Sequence, residues 1–370
     1  MITVKAPGKL YIAGEYAVVE PGNPAIIIAV NQFIQVKATL DAKTNSAWSD
    51  QSPDYNLQWA NHNHQVVFNH QNKRFSYVAA AIKTTEQYLA DHKVPVQNYH
   101  LEITSQLDSQ SGHKYGLGSS AAVTVAVVDA ICQVAGKPVD RLTLFKLSAI
   151  AHLSVQGNGS LGDVAASVYQ GWIAYQSFDR QWLLNQLKTQ SIAAVIELDW
   201  PGLMIQPLTP PADLKILIGW TGTPASTASL VECVAAKKNA PSNFYQHFLN
   251  ASHQCVNRLI RAFEEQNLET IKGQINVNRK LLNELGRNTG VQIETPQLTQ
   301  LCQIVDYYGG AAKSSGAGGG DCGIAIIDQK SDSNQIITQW QQAHIHKLDL
   351  QISYRHQEES HDQPSLTSQK

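Results

Sequence analysis

The sequence has little with which to build a disulfide or thiolate-metal framework. Its five cysteines, at 132, 233, 255, 302 and 322, are odd in number and include no CxxC pair. They read as free thiols in a reducing compartment. Charge is scarce too, at 16% of the 370 residues, against roughly 25% in an average soluble chain. Neither sign dominates: 28 Lys and Arg face 30 Asp and Glu, for a net charge of −2. That balance excludes a broad DNA- or RNA-binding surface but leaves room for a small basic phosphate pocket. Long apolar runs are missing. The longest, Ala25 to Val30, falls far short of the roughly 18–20 residues of a membrane span. The segment Met1-Ile-Thr-Val-Lys-Ala-Pro-Gly8 lacks the apolar stretch of a signal peptide. No repeat, low-complexity block or Walker A motif stands out. The expectation is a soluble cytoplasmic protein without nucleic-acid or membrane partners.

What is present is a large core. Hydrophobic residues make up 43%, and at roughly 100–200 residues per domain the length suggests two domains or one large one. Short apolar or alternating runs predict strands at 10–13, 25–30, 35–40, 99–103, 172–176, 193–198, 214–220 and 323–327. Residues 48–72 are polar and read as loop or edge strand. Phe75, Val78, Ala79, Ile82 and Leu89 fall at helical spacing, as do Phe244, Phe248, Cys255, Leu259 and Phe263. Further helices are expected over about 119–135 and 143–155, and a polar, disordered tail from about Glu358. Strands followed by helices, twice and without regular βα alternation, indicate an α+β fold of two lobes, with the boundary between about 170 and 215.

Four segments have the composition of a site. Pro7-Gly-Lys9 delivers a lysine at the mouth of a strand, where it can serve as a point charge for phosphate; a plain hairpin with a solvated lysine is the alternative. In Tyr115-Gly-Leu-Gly-Ser-Ser-Ala-Ala122, glycines let backbone amides converge and two serines open a helix. The dipole of that helix favours an anion, although a simple serine-capped helix fits as well. Gly157-Asn-Gly-Ser-Leu-Gly-Asp163 places a carboxylate after a glycine-rich turn, either as a helix cap or to orient or deprotonate an acceptor. Lys313-Ser-Ser-Gly-Ala-Gly-Gly-Gly-Asp-Cys-Gly323 holds five glycines that are costly to order. Close approach of backbone to a ligand justifies them; a flexible linker is the competing reading. The His62/His64 and His344/His346 pairs have metal-like spacing but no accompanying ligand set, and Cys322 has no base beside it in sequence.

In this order, the segments resemble the galactokinase, homoserine kinase, mevalonate kinase and phosphomevalonate kinase (GHMP kinase) superfamily over essentially the whole chain. Gly14-Glu-Tyr16, Tyr175-Gln-Ser-Phe-Asp-Arg180, Gly219-Trp-Thr221 and Asp321 favour its bacterial phosphomevalonate kinases. The resemblance implies a two-lobed α+β GHMP-kinase-like fold with a cleft between lobes 1–190 and 191–358, followed by a polar tail at 359–370. It implies phosphoryl transfer from ATP to 5-phosphomevalonate, in the mevalonate pathway of isoprenoid synthesis, with Mg²⁺ as cofactor. Mevalonate kinase, another small-molecule kinase, or an inactive ligand sensor on the same fold are the alternatives. The implied catalytic residues are Lys9 and Asp163. Gly116, Leu117, Gly118, Ser119, Ser120 and Ala121 would wrap the ATP phosphates, with Ser119 or Ser120 at the metal. Lys114, Ser160, Ser315, Gly316, Ala317, Gly318 and Gly319 would hold the acceptor. Two departures stand out: no Glu lies between Ala121 and Asp163, and Tyr16 stands where many relatives carry His.

Overall fold

The computed structural model describes residues 1–40, 43–62, 65–70, 72–107, 115–222, 230, 232–234, 236 and 243–354. Helix and sheet are mixed, as the sequence predicts. An eight-stranded sheet is built from β1 (Ile2–Ala13), β2 (Pro24–Leu40), β3 (Asn45–Ser49), β4 (Asn56–His62), β5 (Gln65–Phe68), β6 (Tyr99–Ser105), β7 (Trp172–Gln176) and β8 (Met204–Leu208). The order is β5-β4-β3-β6-β2-β7-β8, with β1 also paired to β2. The apolar runs at 25–30 and 35–40 belong to one long strand, β2. It pairs along its length with β1, and on its other edge with β7 first and β6 later. The polar stretch after Trp48 forms a meander at the sheet edge, where alternate residues face solvent.

Helices α1 (Ser76–Asp91), α2 (Ser119–Val134), α3 (Arg141–Gln156) and α4 (Gly162–Tyr169) pack together, with α2 and α4 against β1 and β2. Their contact face is dominated by small and aliphatic residues, among them Ala121, Ala126, Val127, Ala165 and Val164, all fully buried. Two short helices follow, α5 (Arg180–Gln186) and α6 (Ile192–Glu197). The second corrects the strand expected at 193–198. Ser191 accepts a hydrogen bond from the Ala194 amide and so starts a helix. An apolar run this short has no period of its own to separate helix from strand.

A four-stranded antiparallel sheet comprises β9 (Leu214–Trp220), β10 (Ala311–Ser314), β11 (Cys322–Asp328) and β12 (His346–Lys347), in the order β10-β11-β9-β12. Helices α7 (Phe244–Glu264), α8 (Leu268–Thr289), α9 (Pro296–Tyr307) and α10 (Ser333–Gln342) accompany it. The segment after β12 returns to the first sheet: Ser353 and Gln351 exchange backbone hydrogen bonds with Ala29, Asn31 and Gly171. No helix among the described residues is long and apolar enough to cross a membrane.

Candidate active site

Strand β1 shifts register between Pro7 and Gly8. Proline has no amide to give to a ladder, so it sits well at such an irregularity, which also re-aims the next side chain. That side chain is Lys9. Gly8 allows the loop before α2 to come close: a Cβ there would lie 2.9 Å from Leu117 O. The Lys9 amide donates to Leu117 O at 2.8 Å and its Nζ to Gly116 O at 2.8 Å. Burial lowers the Lys9 pKa below 10.5, against the opposing pull of Asp163, then Asp321, Cys322 and Glu15. The lysine is thus a desolvated cation among acids.

Lys9 lies at a cavity of about 540 Å³ whose lining brings together Gly116, Leu117, Gly118, Ser119, Ser120 and Asp163. Gly118 is the N-cap of α2 at φ +80° and has no side chain with which to cap the helix. It offers the first amides no acceptor of its own, a situation in which a helix end can take an anion. Bulk at Gly118 would collide with the machinery: a Cβ would stand 3.0 Å from Lys9 Cε and 3.7 Å from Asp163 Cβ. Ala121 is fully buried behind this loop and packs in the core. Ser120 Oγ contacts the buried His152 Nε2 at 3.2 Å, and the His152 ring stacks on Tyr77.

Asp163 stands in the first turn of α4, one position inside the helix, so it is not the cap; Leu161, at φ +62°, takes that place. The preceding turn is tied down from several sides. Arg180 donates to Gly159 O at 2.9 Å and Val19 O at 2.6 Å. Ser160 Oγ meets the Tyr11 hydroxyl at 3.0 Å and also lines the cavity. Burial, then the field of Asp163, raises the Tyr11 pKa and keeps the phenol neutral.

The opposite wall is the glycine loop after β10. Ser315, Gly316 and Ala317 line the cavity. Gly318 and Gly319 turn to the segment before α9 instead: the Gly319 amide donates to Ile293 O at 2.8 Å, and a Cβ on Gly318 would lie 2.2 Å from that oxygen. Ile293 is steadied in turn by its neighbour Glu294, which Arg279 grips with two hydrogen bonds of 2.8 and 2.7 Å. Lys313, wholly buried, forms an ion pair with Glu15, whose residue is 3% exposed. Asp321 lines the cavity in the left-handed region at φ +52°. Lys114 lies outside the described residues, as do His64 and the tail beyond residue 354.

The sequence therefore named most of the lining; it marked Glu15 and Tyr16 by motif without giving them a role in the site, and it missed Tyr11 and Tyr77, as well as His152 beside Ser120. Tyr11 was within reach, since strand alternation puts positions 9 and 11 on one face. Among the described residues no cluster of three or more His, Cys, Asp and Glu side chains could hold a metal. A second hollow, of about 780 Å³, lies behind Ile293 between α8 and α9 and contains none of these groups.

Comparison with known proteins gives consistent matches. The model of the GHMP kinases N terminal domain matches residues 76–171, and that of the GHMP kinases C terminal region matches 259–346. A phosphomevalonate kinase of Streptomyces sp. (strain CL190) is 38% identical over 357 residues, covering 93% of this chain and 95% of the relative. A mevalonate kinase of Pyrococcus horikoshii is 27% identical over 336 residues, 88% of each chain. The solved structure of Streptococcus pneumoniae phosphomevalonate kinase in complex with phosphomevalonate and AMPPNP superposes with a TM-score of 0.84 at 33% identity, covering 95% of this chain and 100% of that one.

Proposed function

The chain belongs to the GHMP kinase family, and from that premise we propose that it transfers the γ-phosphoryl group of ATP to 5-phosphomevalonate. The products are 5-diphosphomevalonate and ADP, a step of the mevalonate pathway. The observation that carries this reading is the 38% identity to a phosphomevalonate kinase across nearly the full length of both chains, together with a cavity that joins the half-buried Lys9, the helix end at Gly118 and a carboxylate.

The chemistry follows from charge. An oxygen of the acceptor phosphate attacks the γ-phosphorus while the bond to the β,γ-bridging oxygen breaks. A phosphomonoester has its second pKa near roughly 6, so the nucleophile is already ionised at neutral pH and needs little help from a base. The greater difficulty is bringing two polyanions together. Lys9 and the amides opening α2 supply fixed positive potential for this, in a site that desolvation makes electrically stiff. Asp163 orients Lys9 or the acceptor. Ser160 and Ser315–Ala317 offer the hydroxyls and backbone that place the acceptor against Lys9. The hydroxyls of Ser119 and Ser120 are hard oxygen donors, suited to Mg²⁺ alongside phosphate oxygens. When bound, that ion would neutralise phosphate charge; among the described residues no cluster of three or more His, Cys, Asp and Glu side chains accompanies the two serines.

A coupled ADP-release assay with 5-phosphomevalonate, mevalonate and 5-diphosphomevalonate side by side tests the assignment. Turnover with phosphomevalonate and not with mevalonate is the expected result. Turnover with mevalonate alone overturns it, and ATP binding without turnover of any of the three indicates a sensor.

A further inference from the structure

The turn Gly14-Glu15-Tyr16 is held in a conformation that calls for a reason. Gly14 sits at φ +90°, with no room for a side chain: a Cβ would lie 2.5 Å from Pro24 O. Tyr16 holds φ +62° with ψ −52°, a sparsely populated conformation that costs a non-glycine residue about 1–3 kcal/mol. The two together turn Glu15 inward, where its carboxylate meets the buried ammonium of Lys313. A buried pair of this kind stabilises little, because desolvation offsets the attraction and apolar side chains of like volume often do as well. Backbone strain combined with a poorly stabilising charge pair points to position as the purpose.

What is positioned can be read from the neighbouring bonds. The Gly316 amide donates to the same Glu15 oxygen at 3.4 Å. The Tyr16 hydroxyl donates to Ala317 O at 2.6 Å, and the Ser315 hydroxyl to Tyr11 O at 2.9 Å. Three consecutive residues of the glycine loop are each fastened to the stretch of chain that begins at Lys9. ATP, by the reading above, is held elsewhere, at the Gly118 helix end.

We infer that Glu15 and Lys313 are positioning residues, forming a charged latch that sets Ser315–Ala317 against Lys9 and thereby aligns the acceptor without touching ATP binding. This rests on the kinase reading of the cavity. The test uses the full chain carrying Glu15→Gln, Lys313→Met, or both. Each single variant is expected to lower kcat by about 10²-fold, the loss that roughly 1 Å of misplacement brings, and to raise the acceptor KM. The ATP Kd, measured calorimetrically, stays at the wild-type value. The double variant leaves no lone buried charge, so its melting temperature returns toward wild type while kcat and acceptor KM do not. Tyr16→Phe, which removes only the bond to Ala317, moves the same two constants the same way by a smaller factor. Recovery of wild-type kcat and KM in the double variant makes the pair merely structural and overturns the inference. Equal losses of ATP and acceptor affinity overturn it as well. Should the single variants fail to fold, the double variant and Tyr16→Phe decide. If the wild-type protein uses an acceptor other than phosphomevalonate, the parent reading fails, and the same variants test the latch on that acceptor.

Discussion

Replacing Gly318 with alanine separates two demands on the glycine loop. The first is conformational. Gly318 holds φ +71° and Gly316 holds +78°, so a side chain at either carries the left-handed penalty of about 1–2 kcal/mol. The second is room, and here the two differ. A Cβ on Gly316 meets nothing within 4 Å, whereas on Gly318 it lies 2.2 Å from Ile293 O and 2.7 Å from Ile293 Cγ2. Ordinary contact begins near 3.4 Å, so the loop must retreat by more than an ångström. Ile293 cannot yield cheaply, because the obstacle is backbone and Glu294 beside it is gripped by Arg279. Overpacking of this kind adds about 1–3 kcal/mol. Gly318→Ala should therefore lose roughly 2–5 kcal/mol of stability and on the order of 10²-fold in kcat, since Ser315–Ala317 shift with it. Gly316→Ala should lose only about 1–2 kcal/mol. Urea midpoints give the stabilities and coupled ADP release gives kcat. Equal midpoints for the two variants, with wild-type kcat in Gly318→Ala, would refute the reasoning.

Lys9→Met keeps the stem that packs on Gly118 but removes the charge. It should cut kcat by at least about 10²-fold with little change in ATP Kd, and unaltered turnover would sink the role. Because burial lowers the Lys9 pKa, the basic limb of activity should lie below 10.5, falling as pH rises and the ammonium is lost; the limb should be absent in Lys9→Met. Asp163→Asn should lower kcat yet keep the acidic limb near roughly pH 6, where the acceptor phosphate titrates; a limb that vanishes in the mutant would mean Asp163 is a general base acting on an alcohol. Burial pushes the Glu294 pKa up, but the Arg279 bonds overcome it and the net shift is downward from 4.5. Its contribution to stability is thus present above about pH 4.5 and lost as pH falls through the lowered value. Arg279→Met should cost about 1–3 kcal/mol at neutral pH, since Glu294 keeps its bonds from Asn283 and Thr299, and should reduce that acid loss, which melting curves from pH 7 to 3 would reveal.

Much of the site could be read from sequence because its parts are contiguous. Gly116–Ser120 and Ser315–Ala317 each carry their own backbone requirement in glycine, and Lys9 announces itself by following Pro-Gly. The parts that could not be read are those made by tertiary pairing. Nothing local marks Glu15 as the partner of Lys313, or His152 as the neighbour of Ser120; they meet only once the turn after β1 reaches β10 of the second sheet and α3 packs on α2. The fold shows the same division. Strand β2 reads as two runs because Asn31 and Gln32 interrupt its apolar pattern, and it is continuous because different neighbours pair with its two halves. The helix at 192–197 was hidden for the opposite reason, being too short to show any period.

The pairing of Glu15 with Lys313 also sets a timetable for synthesis. The two residues are 298 positions apart, and at roughly 5–20 residues per second the ribosome delivers the second about 15–60 s after the first. Throughout that interval the eight-stranded sheet, whose last strand ends at Leu208, lacks the residues that cover Glu15 and supply its counter-charge. The growing chain can form its phosphate-binding helix end but not the wall that places an acceptor, and the closing strand contacts at 351–353 emerge later still. Competence for phosphoryl transfer therefore waits on residues 313–353, and a chain ending before Lys313 should hold nucleotide phosphate without transferring it.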